Sequence, residues 1–225
     1  MQTIRFAFRS LRKAPGFALV AVLALALGIG ANSAIFSIVR AIFLRPLPYA
    51  NPHELVQLTS TIAERELNGV GFSWPRMLAV RERQQAFSQM AVSAPTGFTV
   101  TGDGDPEQVQ GLQVSHEFFP LLGVQPFLGR VFLPEEDRPG GEPVAVLSPG
   151  MWERRFGASR EVIGKPILLD GQAHTIIGVM PRSLSAFPMN QVAVWTSRPA
   201  EVSYLVREQI DSGGFYFNVA GRLKP

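Results

Sequence analysis

No cysteine occurs among the 225 residues. Its absence excludes a disulfide scaffold, a thiol nucleophile, a zinc-thiolate site and an iron–sulfur cluster, and is compatible with either redox compartment. Charge is scarce as well, at 17% of residues, and it is unevenly placed. Arg5, Arg9, Arg12 and Lys13 fall in the first thirteen residues, where there is no acid. Of the 21 basic and 18 acidic residues, 17 basic and 18 acidic remain after Lys13, a net charge of −1. No basic stripe is left to neutralise phosphates, so nucleic acid is not an expected partner. With 46% hydrophobic residues, the chain can bury a core and is too apolar for a disordered protein.

Several chemistries lack their residues. A phosphate loop needs Gly-Lys-Ser/Thr, and the one Gly-Lys pair, Gly164-Lys165, is followed by Pro166. The three histidines, His53, His116 and His174, are too widely spaced to form a His-x-x-x-His metal grip. No Gly-x-Ser-x-Gly elbow exists. Neither an enzyme nor a bound cofactor is expected.

What is present is a long uncharged run. Residues 14–39 carry no charge, and Phe17 to Ala31 is apolar on every face. A helix over that run would be roughly 39 Å long, more than the roughly 30 Å hydrocarbon core requires. Four cations precede it, and Arg40 and Arg45 follow. The positive-inside bias therefore places the amino terminus in the cytoplasm and everything after about residue 40 outside. A cleaved signal peptide is the rival, with Ala24-Leu25-Ala26 as the cleavage site, but apolar character continues through Ile29, Ile35, Phe36, Ile38 and Val39. Ala26, Gly30 and Ala34 recur every four residues and are the candidate face for packing against other membrane helices. Ile4, Phe6, Phe8 and Leu11 interleave with arginines, which suits a cytoplasmic interfacial segment over residues 1–13.

Pro46, Pro48 and Pro52 then predict a stiff, extended exit over residues 40–52. Beyond it the pattern reads as short strands mixed with short helices, an α+β domain. Strands are expected at 55–59, 87–94, 97–101, 109–114, 144–147, 167–169, 173–179, 192–196 and 215–222. Helices are expected from Ser73 to about Gln85, after a Ser115 cap through Leu122 to Gly123, and at 149–156 ending on Gly157. Asp170-Gly171 suits a type I′ hairpin turn. Two acidic clusters, Asp103 with Asp105 and Glu135-Glu136-Asp137, read as solvated turns without the spacing of a calcium loop.

Taken together, Arg12 to Val39, Leu44-Arg-Pro-Leu-Pro-Tyr49, Phe118 to Arg130, Leu133 to Asp137, Trp152 to Gly157, Ile177 to Pro181 and Gly221-Arg-Leu-Lys-Pro225 resemble, in order and spacing, MacB-like (FtsX-type) ABC transporter permeases. The resemblance implies one inner-membrane helix at 14–39 and an extracytoplasmic core domain over 53–225. That domain would comprise a porter-like βαβ part (about 53–94 and 200–225) and an inserted lobe (about 95–199). It also implies a non-catalytic role, coupling ATP hydrolysis by a cytoplasmic ABC ATPase to the extracytoplasmic side. The partners implied are membrane lipid, that ATPase, the remaining permease helices, a second copy in a homodimer and an extracytoplasmic adaptor. Members of the family carry three further membrane helices, so the chain reads as truncated at its carboxyl end. The alternatives are a tethered or secreted module that binds a ligand or protein without a transporter, and an anchored hydrolase, which would need paired carboxylates or an activated serine.

Overall fold

The computed structural model describes residues 15–43, 49–62, 66–102, 104–185, 189–202, 205–211 and 214–224. The chain forms two units, Met1–Pro46 and Leu47–Pro225. In the first, α1 (Pro15–Phe43) is a single 29-residue helix with Pro15, whose missing N–H costs nothing there, at its first position. It continues past the expected end at residue 39 and takes Arg40 into its last turn. Its stretch Pro15–Ser37 is long and apolar enough to cross a membrane. Phe17, Leu19, Leu23, Leu27 and Ile35 are all exposed, a surface that needs lipid or other helices around it. Ser37 folds its hydroxyl back onto the Ser33 carbonyl at 2.7 Å, so the helix satisfies its own polar group. The interfacial segment expected at 1–13 lies outside the described residues.

The second unit is α+β, as expected. Its main sheet runs β1 (Leu55–Leu58), β11 (Asn218–Leu223), β4 (Phe87–Thr101), β5 (Glu107–Val114), β10 (Val192–Thr196), β7 (Val144–Leu147), β9 (Gln172–Val179) and β6 (Leu128–Gly129), with β8 (Pro166–Leu169) pairing both β4 and β9. Neighbours pair antiparallel except β5 with β10 and β7 with β9. A small separate hairpin, β2 (Ser60–Ile62) with β3 (Leu67–Val70), was not expected. Nor were β6 and the short helix α5 (Arg207–Asp211). The remaining helices are α2 (Trp74–Arg83), α3 (Phe118–Leu122) and α4 (Pro149–Phe156).

Two expected strands, 87–94 and 97–101, are one. Pro95 does not break β4, for a reason of pleat. Val92 O accepts from Ser115 and Thr99 exchanges bonds with Asp170, so residues 95 and 97 turn their backbone polar groups away from β5. On that side the pairing with β11 ends at Ser93 and that with β8 begins at Val100. The missing Pro95 N–H therefore costs no ladder bond.

The Asp170-Gly171 turn is as expected, with φ of 50° and 80° at the two residues and Leu169 opposite Gln172. It is also docked: Asp170 N–H donates to Thr99 O at 2.9 Å, and Thr99 N–H donates to Asp170 Oδ1 at 2.8 Å. Helix α4 ends at Gly157, as expected, and is capped by Ser148, which was not expected: its Oγ accepts from Met151 N–H. Ser115, in contrast, does not cap α3; its Oγ accepts from Val92 N–H and ties the strand end to β4. Ser73 precedes α2 without a side-chain cap bond.

Candidate functional site

Where the chain enters the second unit, the expected straight exit bends. Asn51 adopts a left-handed conformation (φ 45°) and Pro52–Glu54 make one turn of 3-10 helix, so Pro52 is the start of a turn and not the end of an extended rod. Pro46 and Pro48 lie outside the described residues. Ala26, Gly30 and Ala34 lie on α1 four residues apart, and no atom comes within 4 Å of the space a side chain at Gly30 would fill.

The bend is held from the far end of the chain. Arg222, near the end of β11, sits opposite Leu55 of β1. Its Nη2 donates to Ala50 O at 2.7 Å, its Nη1 to Glu54 Oε2 at 2.8 Å, and its Nε and Nη2 to Leu121 O at 3.1 and 2.6 Å. Only 13% of the side chain is exposed. A guanidinium suits this place because its planar fork can serve several carbonyls at once, where an ammonium is a point charge. Leu121 O is available because the last carbonyls of a helix have no intrahelical partner. The Arg222 hydrogen bond is also the main reason the Glu54 carboxyl sits below its ordinary range, with Asn51 and the local positive charge adding to it.

The arriving segment is bonded to α3 directly as well. Ala50 N–H donates to Leu122 O at 3.1 Å. Gly123 (φ 66°) ends α3 so close to this segment that a Cβ there would meet Ala50 Cβ at 2.4 Å. Tyr49 packs on the same apolar cluster as Phe118, Phe119 and Leu122, and burial pushes its phenol above its ordinary value.

The other end of α3 carries a second set of charges. Arg81 of α2 donates to Glu117 Oε1 at 2.6 Å and to Met90 O at 3.1 Å. Asp137 Oδ2 accepts from His116 N–H at 2.9 Å, and Asp137 Oδ1 from Arg198 N–H at 3.0 Å. His116 Nδ1 lies 3.1 Å from Asp137 and 3.3 Å from Glu117. Nearby, Glu136 is only 5% exposed and takes both arms of Arg130 at 2.6 and 2.9 Å, together with Leu133 N–H. Burial alone would raise its carboxyl, but these bonds outweigh it and hold the group below the ordinary range. The reading of Glu135-Glu136-Asp137 as a solvated turn is thus corrected: two of the three carboxylates are structural anchors. Asp103 lies outside the described residues, and the Asp105 carbonyl accepts from Arg155. Of the histidines, His53 is exposed, while His174 is buried and burial lowers its pKa.

A groove of about 480 Å³ lies between β5, β10 and α4, lined by Glu107, Gln108, Gln110, Gln191, Ser148 and Arg154 among others. Its carboxylate is paired with Arg154 at 3.0 Å, and Ser148 is occupied as a helix cap. The groove therefore brings together neither two carboxylates nor a serine with a base.

Sequence reasoning missed Arg222, Glu54 and Leu121 as a set. The signal was partly there, since Leu44 to Tyr49, Phe118 to Arg130 and Gly221 to Pro225 are three of the segments that carry the resemblance. Their meeting depends on β11 returning beside β1, which no local pattern announces.

Residues 18–225 match the profile of the family described as MacB-like periplasmic core domain. Among solved structures, the extracellular domain of the noncanonic ABC-type transporter YknZ from Gram-positive bacteria is similar, with TM-score 0.56 and 16% identity over 76% of this chain and 84% of that one. So is the periplasmic region of MacB from Actinobacillus actinomycetemcomitans, with TM-score 0.55 and 10% identity over 79% of each chain. A domain of a putative permease protein from Porphyromonas gingivalis matches with TM-score 0.50 and 17% identity, over 71% and 66%. No curated protein sequence matches the chain.

Proposed function

The chain belongs to the MacB-like periplasmic core domain family, and from that membership we propose that it is a non-catalytic permease segment, which couples ATP hydrolysis by a cytoplasmic ABC ATPase to an extracytoplasmic domain for export or mechanotransmission. In this reading α1 is an inner-membrane helix with its amino terminus in the cytoplasm, and the unit from Leu47 onward is periplasmic. The porter-like part comprises about 53–94 and 200–225, and the inserted lobe about 95–199. Ala26, Gly30 and Ala34 form a small-residue face on α1 that allows close approach of the remaining permease helices in lipid. Pro46 and Pro48 stiffen the connection, and Pro52 opens the turn that follows it. A homodimer and an extracytoplasmic adaptor complete the assembly.

The observation that carries the reading is Arg222. In a permease of this type the membrane connects to the domain where the chain arrives and where it leaves, and Arg222 bonds the arriving residues Ala50 and Glu54 to the departing strand β11. Displacement of one is passed to the other through short, charge-assisted bonds.

The test is purification of the intact chain from a bacterial inner membrane in detergent, followed by an ATP hydrolysis assay. An ABC ATPase that co-purifies and whose rate changes in the chain's presence supports the reading. A chain that purifies alone, and that binds a ligand or cleaves a substrate unaided, contradicts it.

A further inference from the structure

We propose that α3 is a rigid lever inside the domain, with Arg222 and Arg81 as the positioning residues at its two ends, so that movement of the arriving segment 49–54 reaches the Asp137 anchor on its far side. The inference deepens the coupling role proposed above and rests on it for its biological meaning.

The helix is short, and all of its residues but Pro120 are committed to the core. Phe118, Phe119, Leu121 and Leu122 are all buried. Phe119 touches Phe118 edge-on at 5.4 Å, stacks on Phe132 at 5.9 Å and meets Trp195 edge-on at 5.8 Å. A close-packed body of this kind shifts as a unit, because packed cores switch between arrangements and do not deform continuously.

The attachments at each end are specific. At the carboxyl end, Arg222 holds Leu121 O, Ala50 N–H holds Leu122 O, and Gly123 lets Ala50 approach so closely that the segment can push as well as pull. At the amino end, Arg81 joins Glu117 to α2 and to Met90 O of β4. Ser115 is bonded to Val92 of the same strand in both directions. One residue earlier than Glu117, His116 N–H meets Asp137, which also holds Arg198 N–H. Arg198 lies just after β10, where the chain turns back toward α5 and β11. A connected path thus runs from Ala50 through α3 to Asp137 and Arg198, and every link is a hydrogen bond or a buried contact.

The test is amide hydrogen exchange on the intact chain in detergent, comparing wild type with Arg222→Gln, Arg222→Lys and Arg81→Gln. Exchange at Ala50 and Glu54 should rise in Arg222→Gln. The amides of His116 and Arg198 should rise with them, at least tenfold, while Gly164 beside β9 and Thr175 within it stay within twofold of wild type. Arg81→Gln should show the reciprocal effect, loosening Ala50. Arg222→Lys, which keeps the charge, should give a smaller change of the same pattern and serves if the glutamine variant does not fold. A rise confined to residues 49–54 would overturn the lever, as would a uniform rise that includes Gly164 and Thr175. Because exchange needs neither ATPase nor export, failure here is separable from failure of the transporter reading.

Discussion

Arg222 donates to the main-chain oxygen of Leu121 through both Nε and Nη2, at 3.1 and 2.6 Å. A residue near the end of the last strand therefore caps a helix 101 positions earlier. Nη2 reaches Ala50 O in the same sweep. Removing the guanidinium leaves the partly buried Leu121 carbonyl and the Glu54 carboxylate without this donor, a cost of about 2–3 kcal/mol. Arg222→Gln should lower unfolding stability in urea by that amount, and Arg222→Lys by less, since lysine restores the charge without the fork. Equal stability of all three chains would show that the cluster is ornamental.

Gly123 is the companion to that contact. It is left-handed at φ 66°, and a Cβ there would run into Ala50. Gly123→Ala should destabilise the domain by about 1–3 kcal/mol through backbone strain and displacement of the arriving segment. Thermal unfolding of the variant measures this, and an unchanged midpoint would mean that residues 49–51 move aside freely.

Glu136 predicts a pH dependence. Its carboxyl is held below its ordinary value of 4.5 in the folded chain, so the folded state binds that proton less readily than the unfolded one does. The resulting stabilisation is complete above 4.5 and is lost as pH falls through the lower, folded value. Glu54 acts in the same sense. Urea unfolding of Glu136→Gln should show a weaker loss of stability in acid than wild type, together with lower stability at pH 7. A variant that follows the wild-type pH curve in parallel would assign the acid sensitivity to other groups.

The hairpin turn gives a local test. Asp170 and Gly171 both have positive φ, and a β-branched side chain resists that conformation. Gly171→Val should cost about 1–3 kcal/mol. Asp170→Ala should cost about 1 kcal/mol through loss of the acceptor for Thr99 N–H. Chemical denaturation of both variants measures the two costs, and a Gly171→Val chain as stable as wild type would exclude the type I′ geometry.

What the sequence announced and what it concealed divide along physical lines. The Asp170-Gly171 turn and the Gly157 stop of α4 are set by residues a few positions apart, and local chemistry was enough to place them. The apolar helix was equally plain, since 26 uncharged residues leave few alternatives. Pro95 misled, because whether a proline breaks a strand depends on which neighbour its missing N–H would have faced, and that neighbour is fixed only in the sheet. Ser115 misled for a similar reason, being recruited by Val92 of another strand. Glu136 and Asp137 looked like surface turn residues because a run of acids before Pro-Gly-Gly ordinarily is one; Arg130, the partner of Glu136, is six residues away, while His116 and Arg198 reach Asp137 only through tertiary contact. The Arg222 cluster belongs to that last class.

The proposed membrane role of α1 predicts the behaviour of one substitution. Gly30→Leu raises the apolarity of α1 while filling the space that a close-packed neighbour helix would need. The variant should insert and be extracted by detergent like wild type, with residues after Asn51 open to external protease. In the proposed transporter, its assembly with further permease helices should fall. Wild-type assembly would make Ala26, Gly30 and Ala34 ordinary lipid-facing residues.

The most direct test of the central claim is a paired measurement on the complete transporter, ATP hydrolysis and export in the same preparation, for wild type and Arg222→Gln. If Arg222 passes motion between the arriving and departing ends of the domain, hydrolysis should stay within about twofold of wild type while export falls at least tenfold, roughly 1.4 kcal/mol of lost coupling. Export that persists at the wild-type rate, with the variant folded and the complex intact, would contradict the account.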